Sequence, residues 1–493
     1  MHSLFLALMV LVPIVGSIFI YLLRHRTRVL RPYTFCLTVV TSVLTWITIL
    51  NRPEDGFTLL NFTRALSIRL QLDGLGSLFA GMVSVLWPLT TLYAFEYMEH
   101  EERRNTFFMF FVMTYGVTLG VALSANMLTM YLFYELLTLV TLPLIIHQLG
   151  HDAMYAGRKY LYFSITGSAL AFLGLVFLIV YTGSTAFVLG GDVNPAMGTN
   201  RMSTLLLIYV VSFMGFGVKA AVFPVHSWLP TAGVAPTPVT ALLHAVAVVK
   251  SGVFAITRLT YYCYGTELLA GTWAQYTVIG IAVFTIIFGS SMALKERHIK
   301  RRLAYSTVSN LSYILFGITL MNPIGMAAGL LHFLYHSVMK ILGFLSAGAI
   351  IHRSGREYIF ELDGLGRRMP ITFAFLTIAG LGLTGIPLLA GFISKWQLAQ
   401  AALSTGGLLS LLGIGALLLS ALLTAIYMLS LVIRGFFYAA PAGELVAGRV
   451  AAPSDPGWKM LLPLSIFALL VLLMGLHPQP FWALVNAIAQ GSF

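Results

Sequence analysis

Lys219-Ala-Ala-Val-Phe-Pro-Val-His226-Ser-Trp228-Leu-Pro230, then Thr231-Ala-Gly-Val-Ala-Pro236-Thr-Pro238-Val-Thr240-Ala-Leu-Leu-His244 and an apolar run to Lys250, decides how this chain is read. One apolar helix closes on a lysine and a proline break. A second apolar helix follows and carries a histidine and another lysine. An ionisable side chain at the centre of a bilayer-length helix costs about 2.5–3.5 kcal/mol on insertion scales. Proline removes a backbone donor beside one of these lysines. A stretch that carries both costs points to a path for ions.

Composition sets the class. The chain has 493 residues, of which 58% are hydrophobic and 9% charged, and its mean hydropathy is +0.89. These values place it among membrane proteins. The net charge of +12 lies in short loops between apolar runs, which excludes nucleic acid as the partner and leaves the lipid bilayer. Cys36 and Cys263 are far apart, form no metal or redox pattern, and are expected to be buried thiols. The first segment lacks a basic start and a cleavage site, so it is read as a retained helix. No G-x-x-x-x-G-K-[ST] loop is present, so no cofactor and no nucleotide site are expected in this chain.

About 20 apolar residues cross a bilayer. Fourteen segments of this kind are read at 3–23, 32–50, 74–95, 106–124, 126–147, 159–182, 203–223, 233–257, 274–294, 304–321, 325–350, 371–396, 406–437 and 461–477. The basic residues are asymmetric. Twenty lie in alternate loops, including Arg24, Arg26, Arg103, Arg104, Arg301, Arg302, Arg353, Arg356 and Arg449. Five lie in the opposite loops: Arg52, Arg64, Arg69, Arg201 and Arg258. The positive-inside rule then puts the first loop in the cytoplasm and both termini outside. The other four, Lys219, Lys250, Lys340 and Lys395, lie within spans, and all are lysines. Lysine can release its proton when buried, whereas arginine effectively cannot.

Glu135, in Tyr134-Glu135-Leu-Leu-Thr138, is the acidic residue within a span. The eleventh span reads His332-Phe-Leu-Tyr-His336-Ser-Val-Met-Lys340, with three titratable groups at i, i+4 and i+8. They line one face over about 12 Å. Histidine accepts and donates near neutrality, so the stripe reads as a proton relay. His-x-x-x-His can also bind zinc, but no carboxylate or cysteine joins this stripe, so no metal is assigned. His244 and Lys250 are about 120° apart around the eighth span and face different neighbours. Lys395 lies near the end of the twelfth span, downstream of Gly382, Gly385 and Pro387, which interrupt it. Two broken helices, each with a lysine, suggest an internal repeat of the transporter kind. Trp228 is read as an interfacial anchor beside the first break.

At this point the sequence resembles a known family. Pro224-Val-His-Ser-Trp-Leu-Pro230, Ala235-Pro-Thr-Pro-Val-Thr-Ala-Leu-Leu-His244, Lys250, Lys300-Arg-Arg-Leu-Ala-Tyr-Ser-Thr-Val-Ser309, Gly391-Phe-Ile-Ser-Lys395, Leu72-Asp-Gly-Leu75 and the Tyr134-Glu135 pair are similar to the antiporter-like subunits of respiratory complex I, group 4 membrane-bound hydrogenases and Mrp cation/proton antiporters. The resemblance covers nearly the whole chain. It implies an all-α polytopic membrane protein of about 14 transmembrane helices, with two inverted five-helix repeats and discontinuous helices 7 and 12. The implied divisions are 1–100, 101–258, 270–437 and 438–493. It also implies roles for Glu135 as the partner of Lys219, Lys250 as the central lysine with His244 before it, His332, His336 and Lys340 as the connecting relay, and Lys395 as the exit-side residue. Some members of the family carry glutamate at this last position.

The expected function is proton translocation within a redox-driven complex of the NADH- or ferredoxin–quinone oxidoreductase or hydrogenase type, in a prokaryotic cytoplasmic membrane. The expected partners are other membrane subunits, including further antiporter-like ones. A sodium/proton antiporter subunit of the Mrp type would use the same residues. A membrane subunit of an inorganic-carbon-concentrating complex and an inert scaffold are the remaining alternatives. The costly buried set argues against the scaffold.

Overall fold

The computed structural model describes residues 2–23, 27–53, 55–63, 66–193, 199–439 and 453–492. Arg24, Arg26, Arg64 and Arg449, counted above among the loops, lie outside these residues. The chain opens with helices α1 (His2–Leu22) and α2 (Thr27–Asn51), an antiparallel hairpin of β1 (Phe57–Asn61) and β2 (Ser67–Leu70), and α3 (Gly74–Tyr97). Helices α4 (Arg104–Ala122), α5 (Met127–Ile145), α6 (His151–Thr182) and α7 (Thr199–Gly217) follow. Then come a short turn of helix α8 (Trp228–Thr231), α9 (Thr237–Ala245), α10 (Val248–Thr257) and α11 (Thr266–Leu269). The second half holds α12 (Trp273–Lys295), α13 (Ile299–Thr319), α14 (Pro323–Ser354), α15 (Pro370–Thr384), α16 (Ala390–Thr405), α17 (Leu408–Phe437), α18 (Trp458–Leu476) and α19 (Gln479–Ala489).

Among the described residues, eleven helical segments are long and apolar enough to cross a membrane. The seventh span (α7), the tenth (α13) and the split twelfth (α15 with α16) complete the fourteen read from the sequence. The chain is a multi-pass, helical membrane protein. The small hairpin is a departure from the all-α expectation. A short helix beyond the last span, α19, adds to the fourteen. Cys36 also departs: it is exposed on α2, whereas Cys263 is buried.

Helix α14 is the axis of the second half. Its 32 residues extend about 48 Å at the α-helical rise. Its most apolar window is wholly buried, and α9, α13, α15, α16, α18 and α19 pack around it. By contrast, α2, α6 and α17 carry exposed large apolar residues such as Leu50, Val180 and Leu418. A helix that is apolar all round suits burial or lipid.

Both expected helix breaks are present. Helix α7 stops at Gly217, and the chain turns through Ala221, at φ 54°, and a cis Phe223–Pro224 bond. Trp228 is not interfacial. Its indole N–H, fully buried, donates to the Val218 carbonyl at 2.6 Å, and its ring packs on Tyr160. The break frees that carbonyl, and the indole satisfies it inside the protein, as an apolar interior requires. A third break has no counterpart in the sequence reading. Between α9 and α10 the amides of Val246 and Ala247 both bond to the Leu242 carbonyl, so the helix is interrupted one turn before Lys250. Neither residue is glycine or proline, so packing imposes this break and local propensity does not.

Candidate functional site

Lys219 lies two residues past α7 and is fully buried. Its ammonium donates to the Tyr134 backbone carbonyl and sits 3.4 Å over the Tyr134 ring. Glu135, one residue on, points elsewhere and accepts from the Ser168 hydroxyl of α6. The expected ion pair is therefore not formed by contact. Successive residues on a helix are about 100° apart, so Tyr134 and Glu135 of α5 address different neighbours. The two charges still act on each other electrostatically. Gly252 of α10 fits against the Lys219 backbone, where an added Cβ would lie 3.0 Å from Lys219 Cβ. The lysine at the break thus abuts the helix that carries Lys250.

Lys250 crosses to α14. Its Nζ lies 3.0 Å from His336 Nδ1 and 4.8 Å from the centre of the Phe333 ring. His336 stacks on His332, with ring centroids 5.7 Å apart. His332 Nδ1 lies 2.8 Å from the Ser394 hydroxyl of α16. The next residue is Lys395. The contacts therefore run Lys250, His336, His332, Ser394 and join α10 to α16 through α14; Lys395 turns to another face, and its Nζ lies 5.2 Å from the centre of the Tyr313 ring, which packs on His332 at 5.3 Å between centroids. The Nε2 atoms of both histidines are buried and have no partner in the protein.

Lys395 closes the twelfth span's break. Helix α15 ends at Thr384 and Gly385 adopts φ 91°. The Lys395 ammonium donates to the Leu383 and Thr384 carbonyls at 2.6 and 3.0 Å. The last carbonyls of a helix lack intrahelical donors and carry partial negative charge, so a cation there is stabilised twice. Gly391 lies against the Gly382 carbonyl with no room for a Cβ, which lets the two half-helices overlap.

Lys340 does not stand between His336 and Lys395. It reaches the other way, to α13, donating to the Leu303 carbonyl at 2.8 Å and to the Ser306 hydroxyl. There it interacts electrostatically with His244, as does Lys300. His244 packs on the Phe344 ring, and neither of its nitrogens has a protein partner. The break at Val246–Ala247 separates His244 from Lys250, so the two face different groups. The expected stripe thus divides: His332 and His336 lead toward Lys395, and Lys340 leads back toward His244.

Ser168, Ser306 and Ser394 escape a reading of the sequence, because a serine in an apolar span carries no signal until its partner is known. Arg258 is not a loop residue. It is fully buried in a π-helical turn that extends α10 (Arg258–Tyr264). It makes a two-pronged ion pair with Asp73, at 2.5 and 2.6 Å, and lies near the Phe187, Phe254 and Tyr262 rings. Asp73 also caps α3 by accepting from the Gly76 amide at 2.8 Å. Burial alone would raise the Asp73 carboxyl, but the guanidinium and the amide bonds prevail and hold it below its ordinary value. Arg258 therefore corrects the expectation that every basic residue within a span is lysine, and Arg302 of α13 is buried as well. Among the described residues, no three His, Cys, Asp or Glu side chains are placed to share a metal ion.

Comparison with known proteins gives two family matches. Residues 124–424 match the family described as NADH:quinone oxidoreductase/Mrp antiporter, transmembrane. Residues 61–108 match NADH-ubiquinone oxidoreductase (complex I), chain 5 N-terminus. A probable K(+)/H(+) antiporter protein of Rhizobium meliloti (strain 1021), of the A/B type, is 33% identical over 483 residues, covering 94% of this chain. The chain spans 45% of that relative's length. NADH-quinone oxidoreductase subunit N of Desulforudis audaxviator (strain MP104C) is 29% identical over 410 residues, covering 82% of this chain and 80% of the relative. A chain of the membrane-bound sulfane sulfur reductase, an archaeal respiratory membrane complex, shares the fold with a TM-score of 0.85 at 23% identity, covering 99% of this chain and 97% of that one.

Proposed function

Because the chain belongs to the NADH:quinone oxidoreductase/Mrp antiporter transmembrane family, we propose that it is a proton-translocating, antiporter-like subunit of a larger redox-driven membrane complex. The observation that carries this reading is the buried array from Lys250 through His336, His332 and Ser394 to Lys395. Each member can hold or pass a proton. The array ends at a broken helix, where freed carbonyls stabilise a cation.

Charge moves in steps. A proton on Lys250 passes to His336 Nδ1, on to His332, and through Ser394 to Lys395. Between the two stacked rings, and again between Ser394 and Lys395, the step needs a bridging water, since a proton crosses only hydrogen-bond distances. Lys219 governs the first member. Its charge is held by the Tyr134 carbonyl and ring and by the nearby Glu135, and a positive charge at the break that abuts α10 disfavours a second on Lys250. The interior screens poorly, so the coupling persists without contact. The excess of basic residues in alternate loops supports an orientation with the first loop in the cytoplasm of a prokaryotic cell and both termini outside.

A second reading, a cation/proton antiporter module, is supported by the relative of Rhizobium meliloti. One experiment bears on both. The complex is purified whole, its other subunits identified, and acidification by reconstituted vesicles recorded with a pH dye. Electron-transfer subunits and acidification driven by a reductant support the first reading. Acidification that instead follows an imposed sodium or potassium gradient, with no redox subunit present, replaces it with the second.

A further inference from the structure

Far from the array, toward the end of α14, a cavity of about 200 Å³ opens between α3, α14 and α18. It is polar where most of the molecule is apolar. Glu96, Glu99, His100, His352, Arg353 and Lys459 line it. Both carboxylates are already engaged: Glu96 accepts from the Gly457 amide at 2.6 Å, and Glu99 pairs with Arg31 at 3.0 Å. The two histidines remain, and imidazole is the group that binds and releases protons near neutral pH. None of these residues belongs to the array.

The cavity has a way inward. Tyr97, the last residue of α3, packs its ring against His352 at 5.0 Å between centroids. Its hydroxyl reaches the Thr237 hydroxyl at 3.1 Å. Thr237 begins α9, and its side chain nests against Gly348 of α14, where a Cβ would overlap it. Seven residues on, at the other end of α9, stands His244. Seven residues make nearly two full turns, so Thr237 and His244 lie on one face, about 10 Å apart along the axis. His244 is fully buried with both nitrogens unpartnered, between Lys300 and Lys340 in the electrostatic sense. A buried imidazole without a partner needs an explanation.

We propose that this cavity is the proton-uptake mouth of the protein, with Tyr97 and Thr237 as the hydroxyl pair that passes protons toward His244. The proposal rests on the transport reading above and on its orientation, which puts the cavity on the cytoplasmic side. The relay conserves charge. Both hydroxyls first rotate, because Thr237 donates to Tyr97 at rest; a proton held at His352 then reaches the Tyr97 oxygen through a bridging water as that phenol gives its own proton to the Thr237 oxygen. Thr237 then releases its own proton to water on the inner side, and a water chain along α9 carries it to the unpartnered His244. Each hydroxyl gains one proton and loses one, so neither becomes charged. Arg31, Arg353 and Lys459 offset the two carboxylates, so the mouth does not trap what it collects.

The test uses the intact complex in vesicles whose cytoplasmic face is exposed, at pH 8 in weak buffer. Turnover is divided by the amount of assembled complex. Tyr97→Phe keeps the ring against His352 and removes only the hydroxyl. His352→Gln removes the proton acceptor at the mouth. Both are expected to lower turnover about 100-fold, the low side of what a positioned proton-transfer group contributes. Added imidazole should then restore His352→Gln, because a mobile base replaces the lost acceptor. It should not restore Tyr97→Phe, whose gap lies inside. A packing role would not respond to imidazole, so loss in His352→Gln that imidazole leaves unchanged overturns the proposal. So does parental turnover in both variants. A parent complex that fails to acidify at all counts against the transport reading instead.

Discussion

Lys250 Nζ and His336 Nδ1 lie 3.0 Å apart, joining the broken eighth span to the central helix α14. Two protonation states fit this contact. A charged Lys250 donates to Nδ1, leaving the imidazole proton on Nε2. A neutral Lys250 accepts from Nδ1–H. The pair can therefore hold the same proton on either side.

His336→Ala should lower turnover per assembled complex about 100-fold, the size of a lost proton-transfer group. His336→Gln, which still orders water, should lose less. A packing role would behave differently, because His336→Met would then pump like the parent. The measurement is acidification rate against assembled complex for the three variants.

Lys219→Ala should abolish coupled transport while the complex still assembles. Lys219→Arg should fail as well, because a planar guanidinium cannot take the compact ammonium's place on the Tyr134 carbonyl and ring. Since Glu135 touches Ser168 and not Lys219, Glu135→Gln and Lys219→Ala should couple only through the field, with no strong departure from additivity. Full acidification by Lys219→Ala vesicles would remove this lysine from the mechanism.

Ser394→Ala should slow turnover by separating His332 from Lys395, and Ser394→Thr should retain most of it, since the hydroxyl is kept. Lys395→Met should both stop transport and lower the melting temperature, as the Leu383 and Thr384 carbonyls lose their donor. Burying an unsatisfied polar group costs about 1–3 kcal/mol. Differential scanning fluorimetry beside the transport assay separates the two effects.

Asp73→Asn leaves a buried guanidinium uncompensated and should destabilise the fold by about 3–5 kcal/mol, at the low end because Asp73 itself is about one-third exposed. The carboxyl is held below its ordinary value in the folded protein. Its stabilising contribution is therefore complete above the unfolded carboxyl pKa of about 3.9 and fades only as pH falls through the lower folded value. The gap in melting temperature between parent and Asp73→Asn should stay level from pH 5 to 8. A gap that closes within this range would contradict the pairing.

Membrane sidedness is checked by single cysteines in a chain freed of Cys36 and Cys263. Ser184→Cys should react with an impermeant maleimide from outside and Arg301→Cys from the cytoplasm. The reverse pattern inverts the orientation and the direction of proton flow with it.

The sequence by itself determined the membrane class, the fourteen spans, the breaks at Pro224 and Pro387 and the eight titratable residues. These are consequences of composition and local chemistry: an apolar run of bilayer length satisfies its backbone as a helix, and the breaks stand beside Pro224 and Pro387, although Pro13, Pro32, Pro88, Pro143 and Pro463 lie within helices. What the charged groups do with one another was decided by tertiary structure. Glu135 and Lys219 part company because adjacent helix positions diverge. Lys340 turns to Ser306, and Lys395 caps the helix end that its own span's break exposes. The break at Val246–Ala247, the serine partners and the buried Arg258–Asp73 pair left no local mark. A hydroxyl, an arginine or an alanine reads the same in sequence whether it faces lipid, solvent or a partner, and only the packing of distant helices settles which.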